Sequence, residues 1–194
     1  ENDGTTQPGD LTLREAVGLV GSNGITGIVF DDSLIDQTIT LDSALGPVVI
    51  DKDLVLDGSD KNITISGGQA TSIFKITSGN VEIKSLTLRD GLAQGGNGEN
   101  SGRLDRHASG GGGAGMGGAI AVQGGIVLID GVNFIDNKVK GGNGGNSTAP
   151  VGSNSYGGAG GGSNFGSGAS RNNWGAPAKG TAGGFGGGGS GGLG

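Results

Sequence analysis

Two hydrophobic spacings divide the first half of the chain. Between residues 10 and 20, Leu13, Ala16, Val17 and Val20 recur at i, i+3, i+4 and i+7, the single stripe of an amphipathic helix. Thr12-Leu13-Arg14-Glu15 at its start is a capping box, in which the Thr hydroxyl and the Glu carboxylate take up N–H groups of the first turn. Gly21 and Gly24 end the helix. From residue 28 the period becomes two. Ile28-Val29-Phe30, Thr38-Ile39-Thr40-Leu41, Val48-Val49-Ile50 and Leu54-Val55-Leu56 read as strands, followed by Asn62-Ile63-Thr64-Ile65, Ile73-Phe74-Lys75-Ile76, Val81-Glu82-Ile83 and Leu86-Thr87-Leu88. Turn clusters such as Asp57-Gly58-Ser59-Asp60 and Ser66-Gly67-Gly68 separate them. Strands this brief do not suit the hairpins of a sandwich; they suit the short sides of a repeating coil.

A repeat is present. Displacing the chain by 46 residues lays residues 72–100 over residues 118–146 without a gap, with 9 of the 29 positions identical. Ile73-Phe74-Lys75-Ile76 meets Ala119-Ile120-Ala121-Val122, Leu86-Thr87-Leu88 meets Val132-Asn133-Phe134, and Gly95-Gly96-Asn97-Gly98 meets Gly141-Gly142-Asn143-Gly144. A coil of about 20–25 residues in three short strands has the scale of a parallel β-helix. Ile39, Leu41, Ile50, Leu54, Leu56, Ile63, Ile65, Ile76, Val81, Ile83, Leu86, Leu88, Ile120, Val127, Ile129, Val132 and Phe134 then point inward. Thr38, Thr40, Thr64, Lys75, Glu82, Lys84, Thr87 and Asn133 point outward. The helix is the natural cap, since terminal repeats of a solenoid must cover their core.

Composition changes the picture beyond residue 90. Of 49 glycines, 11 fall in residues 1–90 and 38 in residues 91–194. The expected organisation is a cap over 1–24, coils over 25–91, a glycine-rich loop over 92–117, one further coil over 118–137 and a glycine-rich extended segment over 138–194. That segment predicts a natural protein that continues into another Gly-Gly-Ala-Ile-like strand. Such composition buries too little apolar surface to offset ordering entropy, which describes disordered loops. If the glycines are ordered, backbone hydrogen bonds between adjacent extended or polyproline-II-like strands must supply the order. The second possibility predicts a packed glycine layer, continued between molecules, with Tyr156, Phe165, Trp174, Phe185 and Leu193 as its apolar anchors.

These residues carry a resemblance. Pro8-Gly9-Asp10-Leu11-Thr12-Leu13-Arg14-Glu15-Ala16-Val17 resembles the Gly-Ser-Leu-Arg-Glu-Ala-Ile entry segment of large bacterial secreted and surface-anchored β-helix proteins. Thr12 replaces the usual Ser and Val17 the usual Ile. Gly117-Gly118-Ala119-Ile120 with Phe134-Ile135-Asp136-Asn137 is similar to the paired repeats of polymorphic outer-membrane proteins and other autotransporter-like adhesins. The match spans roughly residues 1–94 and 116–140; both glycine-rich stretches depart from it. It implies an all-β fold, a right-handed parallel β-helix outside the cell or on its surface, in adhesion, as a passenger domain or in matrix building.

Candidate chemistry is sparse. The net charge of -6, with 12 Lys and Arg against 18 Asp and Glu, argues against binding nucleic acid through phosphates. Zero cysteines exclude disulfides, thiolate metal sites and Cys nucleophiles. No apolar run reaches the roughly 18–20 residues of a membrane helix. A β-helix hydrolase or lyase needs acids clustered on one outer face. The outward Lys75, Glu82 and Lys84 read instead as solvated charge. His107, the single histidine, lies in the charged run Arg103-Leu104-Asp105-Arg106-His107 of the first glycine-rich loop and reads as an exposed residue without a catalytic role, the alternative being a run that binds a carboxylate or sulfate. Asp31-Asp32, Asp51-Lys52-Asp53 and Asp57-Gly58-Ser59-Asp60 offer oxygens to calcium, though Asp side chains that cap their own turns account for them better. Asn62-Ile63-Thr64 and Asn146-Ser147-Thr148 are sequons. The expectation is a non-enzymatic extracellular structural or adhesive protein without catalytic, cofactor-binding or metal residues. It would self-assemble into a filament, sheath or surface layer, with copies of itself and surface glycans as partners. The alternatives are a β-helix polysaccharide lyase or hydrolase and a glycan-binding passenger module, each with its site outside these residues.

Overall fold

The computed structural model of the protein describes residues 11–22, 24–100, 107–146, 156–157, 161–162, 168 and 187. The chain divides into two compact units, Glu1–Leu92 with Gly117–Lys138, and Ala93–Met116 with Val139–Gly194.

The first unit opens with α1 (Leu13–Leu19), shorter than the expected 10–20 at both ends. Its capping box forms as read. The Glu15 N–H donates to Thr12 Oγ1 at 3.3 Å, and the Thr12 N–H donates to Glu15 Oε2 at 3.0 Å. Leu13, Val17 and Val20 are buried in one core cluster with Phe30, Leu41 and the strand residues that follow. Next to Leu13, Arg14 donates to Pro47 O at 2.9 Å and to Gly46 O.

Strands form at all eight expected segments: β1 (Gly27–Val29), β2 (Thr38–Thr40), β3 (Val48–Ile50), β4 (Leu54–Asp57), β5 (Ile63–Ser66), β6 (Phe74–Ile76), β7 (Asn80–Lys84) and β8 (Leu86–Arg89). Further along the chain come β9 (Leu92–Gln94), β10 (His107–Ala108), β11 (Ile120–Val122), β12 (Ile126–Asp130), β13 (Asn133–Ile135), β14 (Lys138–Lys140) and β15 (Tyr156–Gly157). Three sheets make up the first unit, ordered β1-β4-β7-β12, β2-β5-β8-β13 and β3-β6-β11. Their pairings are parallel. The chain therefore visits the first, second and third sheet in turn and then returns to the first. Earlier visits are 23 to 28 residues apart, from Ile63 opposite Leu86 to Gly27 opposite Val55. The last is 46 apart in every sheet, with Phe74 opposite Ile120, Val81 opposite Val127 and Thr87 opposite Asn133. That is the displacement at which the sequence aligns with itself. The fold is mostly β, with parallel sheets and little helix.

Alternation sets the core. Ile50, Leu54, Leu56, Ile63, Ile65, Ile76, Ile83, Leu86 and Leu88 are at most 1% exposed, each side chain contributing about 1.5–3 kcal/mol. The expected outward residues are exposed or half-buried. Two expected inward residues are not covered: Ile129 is 43% and Phe134 49% exposed, while their register partners Ile83 and Leu88 are fully buried. The reason is positional. β7 and β8 have a strand on each side, whereas β12 and β13 end their sheets among the described residues.

The turns repeat as the strands do. Asp36, Asn62, Ser85 and Gly131, which precede the four strands of the second sheet, all have left-handed φ between 50° and 60°. Asn and Asp tolerate this conformation better than most residues, and Asn62 Nδ2 donates to Asp36 Oδ1 at 2.8 Å. Asn137 closes another turn: its Oδ1 accepts the Gly91 N–H and its Nδ2 donates to Leu88 O, both at 2.8 Å.

Candidate functional site

Two features stand out, one in each unit. In the second unit, residues 93–100, 107–116, 139–146 and 161–162 lie against one another through backbone rather than side chains. Gly95 and Gly98 donate to Lys140 O and Asn143 O, both at 2.8 Å. Gly110 and Gly113 donate to Glu99 O at 2.9 Å and Gly96 O at 2.8 Å. Gly142 and Gly145 donate to Gly113 O at 2.7 Å and Gly110 O at 2.8 Å. Each pair of donors is three residues apart, the period of a polyproline-II chain, whose backbone groups point outward in three directions. Residues 93–100 and 139–146 run in the same direction; residues 107–116 run opposite to both. Gly161 adds a bond to Gly111 O at 2.8 Å, and β10 pairs with β15 in parallel.

The approach is too close for any other residue. A Cβ on Gly95 would lie 2.0 Å from Gly113 O, and one on Gly98 2.0 Å from Gly110 O. Real contacts of this kind begin near 3.0–3.4 Å, so glycine is required by space here rather than by φ. Where the motif changes to asparagine, the side chain joins the bonding. Asn97 Oδ1 accepts the Asn143 N–H and Asn100 Oδ1 the Asn146 N–H, both at 2.8 Å. The layer expected from the glycine content is therefore present in these residues. Its expected anchors Phe165, Trp174, Phe185 and Leu193, and the side chain of Tyr156, lie outside the described residues.

In the first unit the second feature is the free edge of β11, β12 and β13. Among the described residues each ends its sheet, and around it Ile126, Leu128, Ile129, Phe134 and Ile135 are 43–70% exposed. An edge of unpaired backbone groups with an apolar surface is a template for another strand. At the other end of the unit, α1 and residues 25–39 enclose a groove of about 710 Å³ with mainly apolar walls, Asp31 being its one acid.

The candidate polar residues are dispersed. Lys84 sits in register between Asp57 and Asp130 and pairs with Glu82 at 3.0 Å. Its pKa is raised, first by the hydrogen bond to Glu82 and then by the charge of Glu82, with smaller help from Asp57 and Asp130. Lys75 lies on the third sheet and does not join this group. The 46-residue displacement made only the Lys84–Asp130 half of this column readable; Asp57 meets Lys84 at a displacement of 27, which that alignment does not carry. The acidic turns cap themselves. Asp31 Oδ1 accepts the Ser33 N–H, and Asp57 Oδ1 accepts both the N–H and the hydroxyl of Ser59. These bonds lower both carboxyl pKa values, through the Ser33 N–H first at Asp31 and the Ser59 hydroxyl first at Asp57. Asp53 Oδ1 binds the Asn80 N–H at 2.7 Å, and Asp32 pairs with Lys61. Among the described residues no three His, Asp or Glu side chains converge as metal ligands, and no helix is long and apolar enough to cross a membrane. His107 lies in β10, but Arg103, Asp105 and Arg106 are outside the described residues, as are Ser147 and Thr148 of the second sequon. Asn62 of the first sequon is held by Asp36.

The chain matches no protein-family model, no curated protein and no solved structure.

Proposed function

We propose that the protein is a non-enzymatic structural or adhesive protein of the cell surface or extracellular space. In this reading it is a right-handed parallel β-helix capped by α1, which assembles with copies of itself into a filament, sheath or layer. The glycine layer is the observation that carries the reading. In residues 93–100, 107–116 and 139–146 it orders the chain through backbone packing at glycines with no room for a Cβ, and among the described residues no metal-binding cluster of side chains accompanies it. The strand order supports the β-helix, since the chain passes through three parallel sheets in rotation, and right-handed turns are the rule for parallel strands joined by crossovers. The edge of β11, β12 and β13, which no strand covers among the described residues, supports self-association, while α1 covers core residues at the entry.

Electron microscopy and light scattering of the full chain test the proposal. The expected result is concentration-dependent filaments or sheets, lost in a chain carrying Ile129→Asp and Phe134→Asp but retaining the β signal in circular dichroism. A wild-type chain that remains a dispersed monomer at every concentration overturns it.

A further inference from the structure

The glycine layer contains the dipeptide Asn-Gly twice, as Asn97-Gly98 and Asn143-Gly144, each preceded by Gly-Gly. Identical neighbours give the two asparagines the same intrinsic chemistry. The layer treats them differently. Asn97 Oδ1 is held by the Asn143 N–H at 2.8 Å, and the Gly98 N–H donates to Asn143 O at 2.8 Å. Both groups that would have to meet are thus pointed at the neighbouring segment, and backbone crowds Gly98, with Gly110 O 2.0 Å from its Cβ position. Asn143 and Gly144 are exposed. Among the described residues nothing accepts the Gly144 N–H or holds the Asn143 side-chain amide, only its backbone N–H being bound. The nearest atom to the Gly144 Cβ position is 3.9 Å away.

We infer that Asn143-Gly144 is a site of spontaneous covalent modification, and that the fold protects Asn97-Gly98 from the same reaction. The Gly144 amide nitrogen attacks Asn143 Cγ. A C–N bond forms, the Cγ–Nδ2 bond breaks, and the amide proton of Gly144 leaves with the side-chain nitrogen as ammonia. The five-membered succinimide that results is opened by water at either carbonyl, giving aspartate or isoaspartate, with no change of oxidation state. Either product adds a negative charge to a chain of net charge -6. Isoaspartate also inserts one carbon into the main chain just before the Gly145 and Asn146 amides, which bond to Gly110 O and Asn100 Oδ1 at 2.8 Å. The three-residue period cannot be kept across that insertion, so the outer segment loosens from the layer.

Incubation of the full chain in mildly alkaline buffer, followed by proteolysis and mass spectrometry with enzymatic methylation of isoaspartate as the probe, tests the inference. Asn143 is expected to lose its amide at least about tenfold faster than Asn97, because the latter must await local opening of the layer. In concentrated urea the two rates converge. Gly144→Ala, which the open space admits, slows the reaction at Asn143. Equal rates in the native chain, a faster Asn97, or a native Asn143 that keeps its amide while the urea-treated chain reacts would overturn the inference. So would a Gly144→Ala chain that reacts at the wild-type rate.

Discussion

Gly141 and Gly142 are chain neighbours in the same glycine segment, yet the layer predicts opposite outcomes for one methyl group. A Cβ on Gly142 would stand 1.9 Å from Gly96 O and 2.5 Å from Gly96 C. Both are backbone atoms and have no rotamer with which to yield. Reaching ordinary contact requires the outer segment to retreat by about 1.5 Å, well beyond what the N–H···O bonds around it tolerate. The bonds at risk are Gly142 to Gly113 O, Gly98 to Asn143 O, and Asn143 to Asn97 Oδ1. At a net value of about 1 kcal/mol each, Gly142→Ala costs about 2–3 kcal/mol of local stability. At Gly141 the nearest atom is Gly113 O at 3.7 Å, an ordinary contact, and φ is not left-handed. Alanine fits there, and by restricting the unfolded chain it is neutral or stabilising by up to about 1 kcal/mol.

Native-state amide exchange followed residue by residue is the assay, because it reads the layer separately from the sheets. In Gly142→Ala, protection at Gly98, Gly142 and Gly145 should fall by about 30–140-fold, the equivalent of 2–3 kcal/mol at about 1.4 kcal/mol per tenfold. In Gly141→Ala it should hold or rise. Amides of β7 and β8 should be unaffected in both. Equal losses in the two variants, or full protection in Gly142→Ala, would refute the close-packed layer.

Two further outcomes concern the first unit. Asn137→Ala removes both the acceptor for the Gly91 N–H and the donor to Leu88 O; Gly91 and Leu88 are buried. It should cost about 2 kcal/mol in urea unfolding, and Asn137→Asp, which keeps only the acceptor, should recover part of that. Asp57 has a folded pKa below its ordinary 3.8, so its contribution is present above that value and is lost as pH falls through the lower, folded one. Acid unfolding curves of wild type and Asp57→Asn should therefore differ near neutral pH by less than about 1 kcal/mol, the carboxylate being solvent-screened, and converge in strong acid.

What the sequence made legible follows from where each signal resides. The capping box and the Leu13–Val17–Val20 stripe are local, and α1 forms where they stand. Period-two spacing in Leu54-Val55-Leu56 or Leu86-Thr87-Leu88 is also local, and each strand forms with Leu inside. Self-similarity reaches further: a displacement of 46 residues is a pairing register, so it foretold that Leu88 lies opposite Phe134. Burial is not carried by that register. Leu88 is fully buried and Phe134 half exposed because cover comes from the strand on the far side, about which neither residue carries information. The glycine layer was legible in kind and not in detail for a related reason. Glycine has no side chain to mark a face, so the recurrence of Gly95 and Gly98, or of Asn97 and Asn100, at intervals of three looks like low complexity until a neighbouring backbone gives it direction. Once Lys140 O and Asn143 O accept from the first pair, the same interval identifies which glycines are fixed by space and which, like Gly141 and Gly144, are free to change. The spacing of contacts across the layer, more than glycine content, therefore determines where a methyl group is tolerated.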